Sequence, residues 1–215
     1  MRVLALDTCG PEIGVALWVD GVVDARATRV ARGAEALLIP WAQELLAARD
    51  LTFDDLDGVG VARGPGAFTG LRVGLATALG LAVAAKLPVV AIDSLQARAA
   101  SRPGVVLAML DARKQRVYAA LFSDGVPLTD AVDELPDVVL AAMAPGFLAT
   151  GEGAEVYRAL VEQHGGVVVQ DATACGVATL ARLAAEALAR GEGQDPQHIQ
   201  PVYLRAPDAV PPKQR

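Results

Sequence analysis

The segment Arg63-Gly64-Pro65-Gly66-Ala67-Phe68-Thr69-Gly70 constrains this chain more than any other stretch. It follows a short apolar run, Gly58 to Ala62, and opens a long apolar stretch reaching Lys86. Leu87-Pro88 then leads into a second apolar run, Val89 to Ile92. Short continuous apolar runs read as buried strands, and strand, glycine loop, helix, strand is a β-α-β unit with parallel strands. A helix that opens on a glycine loop can also receive an anion. The spacing here, Gly64-x-Gly66-x-x-x-Gly70, is one residue off the dinucleotide fingerprint. Pro65 removes a backbone donor, and no lysine follows as in a P-loop. Asp93, ending the next strand, could imitate a ribose-binding acid and keeps a dinucleotide alternative open.

Around this unit the chain alternates strands and helices. Val3 to Leu6 is a buried strand ending in Asp7, and Ile13 to Val19 and Val22 to Ala27 are joined by Asp20-Gly21, a tight-turn dipeptide. Gly33 to Arg49 carries apolar residues at helical spacing. Val105 to Leu110 ends in Asp111 and is followed, after Ala112-Arg113-Lys114-Gln115, by the strand Arg116 to Phe122. Asp7 and Asp111 thus hold equivalent places, which suggests a duplication. Beyond lie a strand in Gly146 to Thr150, a helix from Ala154 to His164, a short strand Val167 to Val169 and an alanine-rich helix from Ala174 to Arg190. The expected division is an N-terminal lobe over 1–100, a C-terminal lobe over 101–205 that can return to the first lobe at its end, and a loose tail over 206–215.

Composition narrows the function. With 215 residues, 53% of them hydrophobic, the chain builds a large core without a staple. A net charge of -6 makes it a poor holder of nucleic acid on its own. Two distant cysteines, Cys9 and Cys175, fit a reducing compartment, and the apolar stretch Leu71 to Ala85, interrupted by Arg72, reads as too short for a bilayer. The expectation is a soluble cytoplasmic protein with no membrane association.

Asp7 and Thr8 at a strand end could hold a metal-bound nucleotide phosphate with Asp111 facing them, or all three could simply cap turns. Neither His164 nor His198 forms a paired-histidine metal motif, so no metal ligands and no catalytic residues are assigned. The helix behind the glycine loop carries two ladders of small residues, Gly70, Gly74, Ala78, Ala82 and Ala76, Gly80, Ala84. One must face the sheet; the other is free for a partner subunit.

The runs VLALDT, GVALWVDG, RGPGAFTGLRVGLATALGLA, VVAIDSL, LDARKQRVYAALF and QPVYLR together resemble the TsaB (YeaZ) family, over residues 1 to about 205. That resemblance implies a two-lobed, actin-like or sugar-kinase-like α/β fold, each lobe a mixed sheet with flanking helices. It implies a degenerate paralogue of TsaD, the subunit that transfers threonylcarbamoyl to tRNA adenosine. The chain lacks TsaD's paired histidines, and Cys9 stands where a glycine is expected after Asp7. It would therefore be no enzyme by itself but a partner and activator of TsaD, joined by the ATPase TsaE and homodimeric when alone, meeting tRNA only through the complex. The resemblance places the helices Gly33 to Arg49 and Gly70 to Lys86 at the partner surface, flanked by Arg63, Phe68, Thr69 and Arg72, and the small-residue ladder adds Gly70, Gly74 and Ala78 as expected interface residues. It requires no cofactor of this chain and leaves room for ATP or ADP at the interface. The alternative is an autonomous nucleotide-binding ATPase or phosphotransferase using Asp7, Thr8 and Asp111.

Overall fold

The computed structural model describes residues 1–31, 33–172 and 174–205; the expected tail over 206–215 lies outside the described residues. Strands β1 (Arg2–Asp7), β2 (Glu12–Val19) and β3 (Val22–Arg29) form an antiparallel meander. Its second turn, Asp20-Gly21, has both φ angles positive, 45° and 97°, as a two-residue hairpin of that hand requires. Helix α1 (Glu35–Ala47) follows, then β4 (Gly58–Ala62), α2 (Phe68–Ala85) and β5 (Val89–Ile92). Both new strands run parallel, giving the sheet order β3-β2-β1-β4-β5. The β-α-β unit read from the glycine loop is therefore present.

Helix α3 (Ser94–Ala99) carries the chain into a second sheet. There β6 (Val105–Asp111) and β7 (Val117–Ser123) pair antiparallel, and β8 (Val126–Pro127) and β9 (Val132–Glu134) line the outer edge of β7. After α4 (Pro136–Ala141), β10 (Leu148–Thr150) joins β6 in parallel; α5 (Glu152–Val156), α6 (Arg158–Gln163) and β11 (Val167–Val168) complete the lobe. Antiparallel β6–β7 with parallel β10 and β11 repeats antiparallel β1–β2 with parallel β4 and β5. Asp7 and Asp111 are the last residues of the matching strands β1 and β6. The fold is α/β with two mixed sheets flanked by helices.

The expected helix Ala154 to His164 is two helices, interrupted at Tyr157, whose φ of -106° and ψ of 26° leave the helical region. The short edge strands β8 and β9 and helices α3 and α4 carry too little periodicity to be read from sequence.

The last helix, α7 (Val177–Ala189), returns to the first lobe and packs on β1, β2, β4 and β5. Glycines let it come close. A Cβ at Gly60 would lie 2.7 Å from the Ala184 Cβ, and one at Gly58 would lie 2.5 Å from the Leu188 Cδ1. Helix α2 is long and apolar enough by length and composition alone to cross a membrane, so the expected shortness does not hold. It is nonetheless the crossover of the β-α-β unit, with Leu71, Ala78 and Ala82 sealed in the first core.

Leu180 is fully buried between α7 and the sheet. Leu180→Ala is expected to lower stability by about 2–5 kcal/mol, because transfer and cavity terms add. Urea unfolding of the two proteins measures it.

Candidate functional site: the interlobe hairpins and the outer face of α2

The two matching hairpin turns, after Asp7 and after Asp111, are where the sequence places a nucleotide. Asp7 is completely buried. Its Oδ1 accepts the Cys9 amide at 2.9 Å and its Oδ2 accepts Arg98 Nη1 at 3.0 Å. Arg98, on α3, is only 2% exposed and also donates to the Ser94 carbonyl at 2.9 Å. Its Nε lies 4.0 Å from Oε2 of Glu152, the first residue of α5 in the second lobe. Both of those atoms are buried without a hydrogen bond. The guanidinium sits over the first turn, since a Cβ at Gly10 would be 2.9 Å from Arg98 Nη2 and 3.4 Å from Glu152 Oε1.

The electrostatics follow from burial. Desolvation works against charge on Arg98, but Asp7 and Glu152 outweigh it and hold the guanidinium ionised. Burial raises the Glu152 carboxyl above its usual range; Arg98 pulls it down, while Asp7 and Asp111 push it further up. Burial, reinforced by Asp7, pushes the Cys9 thiol well up, so it is no thiolate nucleophile. Cys175 is likewise raised, first by burial.

The remaining nucleotide candidates are engaged internally. Thr8 is buried and its hydroxyl donates to the Gly70 carbonyl at 2.6 Å. Asp111 accepts the Arg113 amide at 2.9 Å and pairs with the Arg113 guanidinium at 3.2 Å. Ala67 donates its amide to the Cys9 carbonyl at 2.8 Å, so the start of α2 is closed by the chain itself. Asp93, the ribose acid of the dinucleotide alternative, is paired with Arg63 at 2.8 Å. These residues do not fit a nucleotide phosphate: the first turn faces a cation of the protein's own, and the polar atoms of Thr8 and Asp7 are spent. Sequence reasoning passed over Arg98 and Glu152. The signal available was Gly151-Glu152-Gly153 after an apolar strand, a second glycine-flanked strand end matching the first lobe.

The expected partner surface needs one correction. Gly74 and Ala78 are buried, not interfacial, and Gly70 is turned inward with them. A side chain at Gly70 would collide with the Thr8 carbonyl, and one at Gly74 with the Thr8 hydroxyl. Their ladder lets α2 lie on the first turn. The outward ladder is the other one: Ala76, Gly80 and Ala84 are exposed, beside Val83 at 62% exposure. A Cβ at Gly80 would meet nothing within 4 Å. Phe68, Thr69 and Arg72 are exposed at the start of the same helix, and Arg63 is half-exposed against Asp93.

Glu152 carries a pH signature. With its pKa raised by folding, the native state keeps a proton that the unfolded chain releases near pH ~4.3, so this group costs stability as pH rises through that window. Glu152→Gln is therefore expected to gain stability relative to the parent protein as the pH rises above about 4.3, the unfolded-state value of a glutamate. Urea unfolding across that range measures the difference; a gain that shrinks with rising pH would contradict it.

Comparisons with known proteins give the kinship. A family model described as TsaD, tRNA N6-adenosine threonylcarbamoyltransferase, matches residues 27–210. The tRNA threonylcarbamoyladenosine biosynthesis protein TsaB of Escherichia coli is 31% identical over 221 residues, covering 95% of each chain. TsaB of Bacillus subtilis is 32% identical over 145 residues, 66% of this chain and 63% of that one. The solved structure of YeaZ from Pseudomonas aeruginosa superposes with a TM-score of 0.80 at 28% identity, over 94% of this chain and 100% of the other. With its two mixed sheets and a TsaB relative 31% identical over 95% of its length, the chain belongs to the TsaB (YeaZ) family.

Proposed function

We propose that this chain is a non-catalytic partner subunit in the formation of N6-threonylcarbamoyladenosine on tRNA, and that it binds and activates TsaD in the cytoplasm. The observation that carries the reading is the outer face of α2. A glycine in the middle of an exposed helix costs about 1 kcal/mol relative to alanine. Gly80 has open space around it, so nothing within the protomer asks for a glycine there. Small residues on an exposed apolar helix allow another helix to approach closely, and Ala76, Gly80, Val83 and Ala84 offer such a strip. In isolation the same strip pairs two copies of the chain; in the complex TsaD takes it, and TsaE joins the pair. Arg63, Phe68, Thr69 and Arg72 stand at one end of the strip as rim contacts.

The interlobe turns support the same reading. With Arg98 over the first turn and Asp7 buried beneath it, the chain requires no cofactor, and any ATP or ADP is held together with TsaD. Activation is then a shift in TsaD's conformational population on docking, with no group donated to the chemistry. The acidic chain leaves tRNA to the other subunits.

Reconstitution tests this directly. TsaD, TsaE and the threonylcarbamoyl-adenylate synthase are expected to form the modified nucleoside, read by mass spectrometry, only when this chain is added. Equal product without it would overturn the reading. Gly80→Leu is expected to leave the protomer folded while weakening association with TsaD by about tenfold or more, the loss typical of a blocked interface centre. Gly74→Leu should instead compromise folding, since its side chain has no room. Sedimentation and circular dichroism separate the two effects.

A further inference from the structure

The segment after α7 runs as a strap from the first lobe to the second. Gln194 and Val89 exchange both backbone hydrogen bonds at 2.8 Å on the edge of β5, and Ile199 is buried in the first core. The Val202 amide donates to the Arg63 carbonyl at 2.8 Å. The Val202 carbonyl lies 2.6 Å from where a Cβ of Gly64 would stand, so the glycine loop is shaped to admit the strap. Tyr203 then meets the start of α2: Arg72 Nε donates to its hydroxyl at 3.1 Å, and its ring centroid lies 5.4 Å from that of Phe68. The Arg72 guanidinium stacks 3.7 Å above Phe68.

Two residues later, a span of at most about 7 Å, the strap reaches the other lobe. Arg205 grips Asp133 with both arms of its fork, Nε to Oδ2 at 2.7 Å and Nη2 to Oδ1 at 2.8 Å. Its Nη1 donates to the Ala112 carbonyl at 3.0 Å. Asp133 on β9 is only 13% exposed and also accepts Arg116 Nε at 2.8 Å. Ala112 and Arg116 close the β6–β7 hairpin, the Ala112 amide donating to the Arg116 carbonyl at 3.0 Å. Between them Arg113, Lys114 and Gln115 have φ of 60°, 53° and 59°. Three successive non-glycine residues in the left-handed region persist only where the surroundings hold them. Arg205 and Asp133 supply that hold, through the base of the turn.

We infer that the strap Ile199–Arg205 couples the partner-facing start of α2 to the β6–β7 hairpin of the second lobe, with Arg205 as its positioning residue. A load on Phe68, Arg72 and Tyr203 is carried along the next two residues of backbone to a bidentate charged grip on the opposite lobe. That grip is directional and geometrically specific, which a lysine cannot reproduce.

The isolated protein tests the coupling without any partner. In hydrogen exchange, Tyr203→Ala alters only the first-lobe end of the strap, yet the hydrogen-bonded amides of Ala112 and Arg116 are expected to exchange about tenfold faster or more. Unchanged exchange at both amides would overturn the inference. A second arm rests on the activator reading. Arg205→Ala is expected to keep TsaD affinity within about threefold while stimulation of nucleoside formation falls about tenfold or more. Undiminished stimulation, or parallel loss of affinity and stimulation, would mean that Arg205 is merely structural. If Arg205→Ala does not fold, Arg205→Lys, which keeps charge and loses the fork, takes its place in the same comparison. If the parent protein itself fails to stimulate TsaD, the activator reading falls, and the exchange arm alone decides the strap.

Discussion

A single guanidinium sits where the two lobes and the crossing helix meet. Arg98 reaches from α3 to Asp7 at the end of β1 and faces Glu152 at the start of α5. A buried charge with no partner is costly, and removing one member of a buried pair typically costs several kcal/mol. Asp7, completely buried, therefore depends on Arg98 as its charged partner. The rest of the cleft follows from that contact. With a cation already over Gly10, the first turn packs on the glycine loop and α2 through Gly66, Gly70 and Gly74. The first of the two matching hairpin turns is thus covered by a residue of the chain's own.

Much of the architecture was legible because it depends on local pattern. The glycine loop between two apolar runs specified the β-α-β unit, and Asp20-Gly21 specified a hairpin that does have two positive φ angles. Asp7 and Asp111 marked matching strand ends, and the sheet order bears that out. The site was less legible. Arg98 and Glu152 are 54 positions apart in sequence, and nothing in the periodicity of either segment announces that they share a buried site. The outward face of α2 was also ambiguous. A helix apolar on all sides has no polar stripe to orient it, so the ladder of Gly74 and Ala78 could not be told from that of Ala76 and Gly80 without the Thr8 backbone in place.

Glycine has two opposite uses in α2. At Gly70 and Gly74 the missing side chain admits the chain's own first turn, and the benefit is realised within the protomer. At Gly80 the missing side chain admits nothing that the protomer contains, so only the cost in helix stability remains. The same residue type, one helical face apart, thus makes room for an internal contact in one place and leaves an open surface in the other. The strap adds a third contact at the head of the helix, where Arg72 is held between Phe68 and Tyr203.

The return of α7 to the first sheet has a consequence for how the chain is made. The strands of the first lobe are complete by Ile92, but among the described residues the helix that covers the face of that sheet lined by Gly58 and Gly60 is Val177–Ala189. During synthesis the first lobe emerges with one apolar face bare and must wait for the whole second lobe to follow. Its closure is among the least local contacts in the chain, and such contacts form slowly and late. The nascent first sheet thus keeps an apolar face bare from the synthesis of Ile92 until that of the last helix, a little under half of the chain's length.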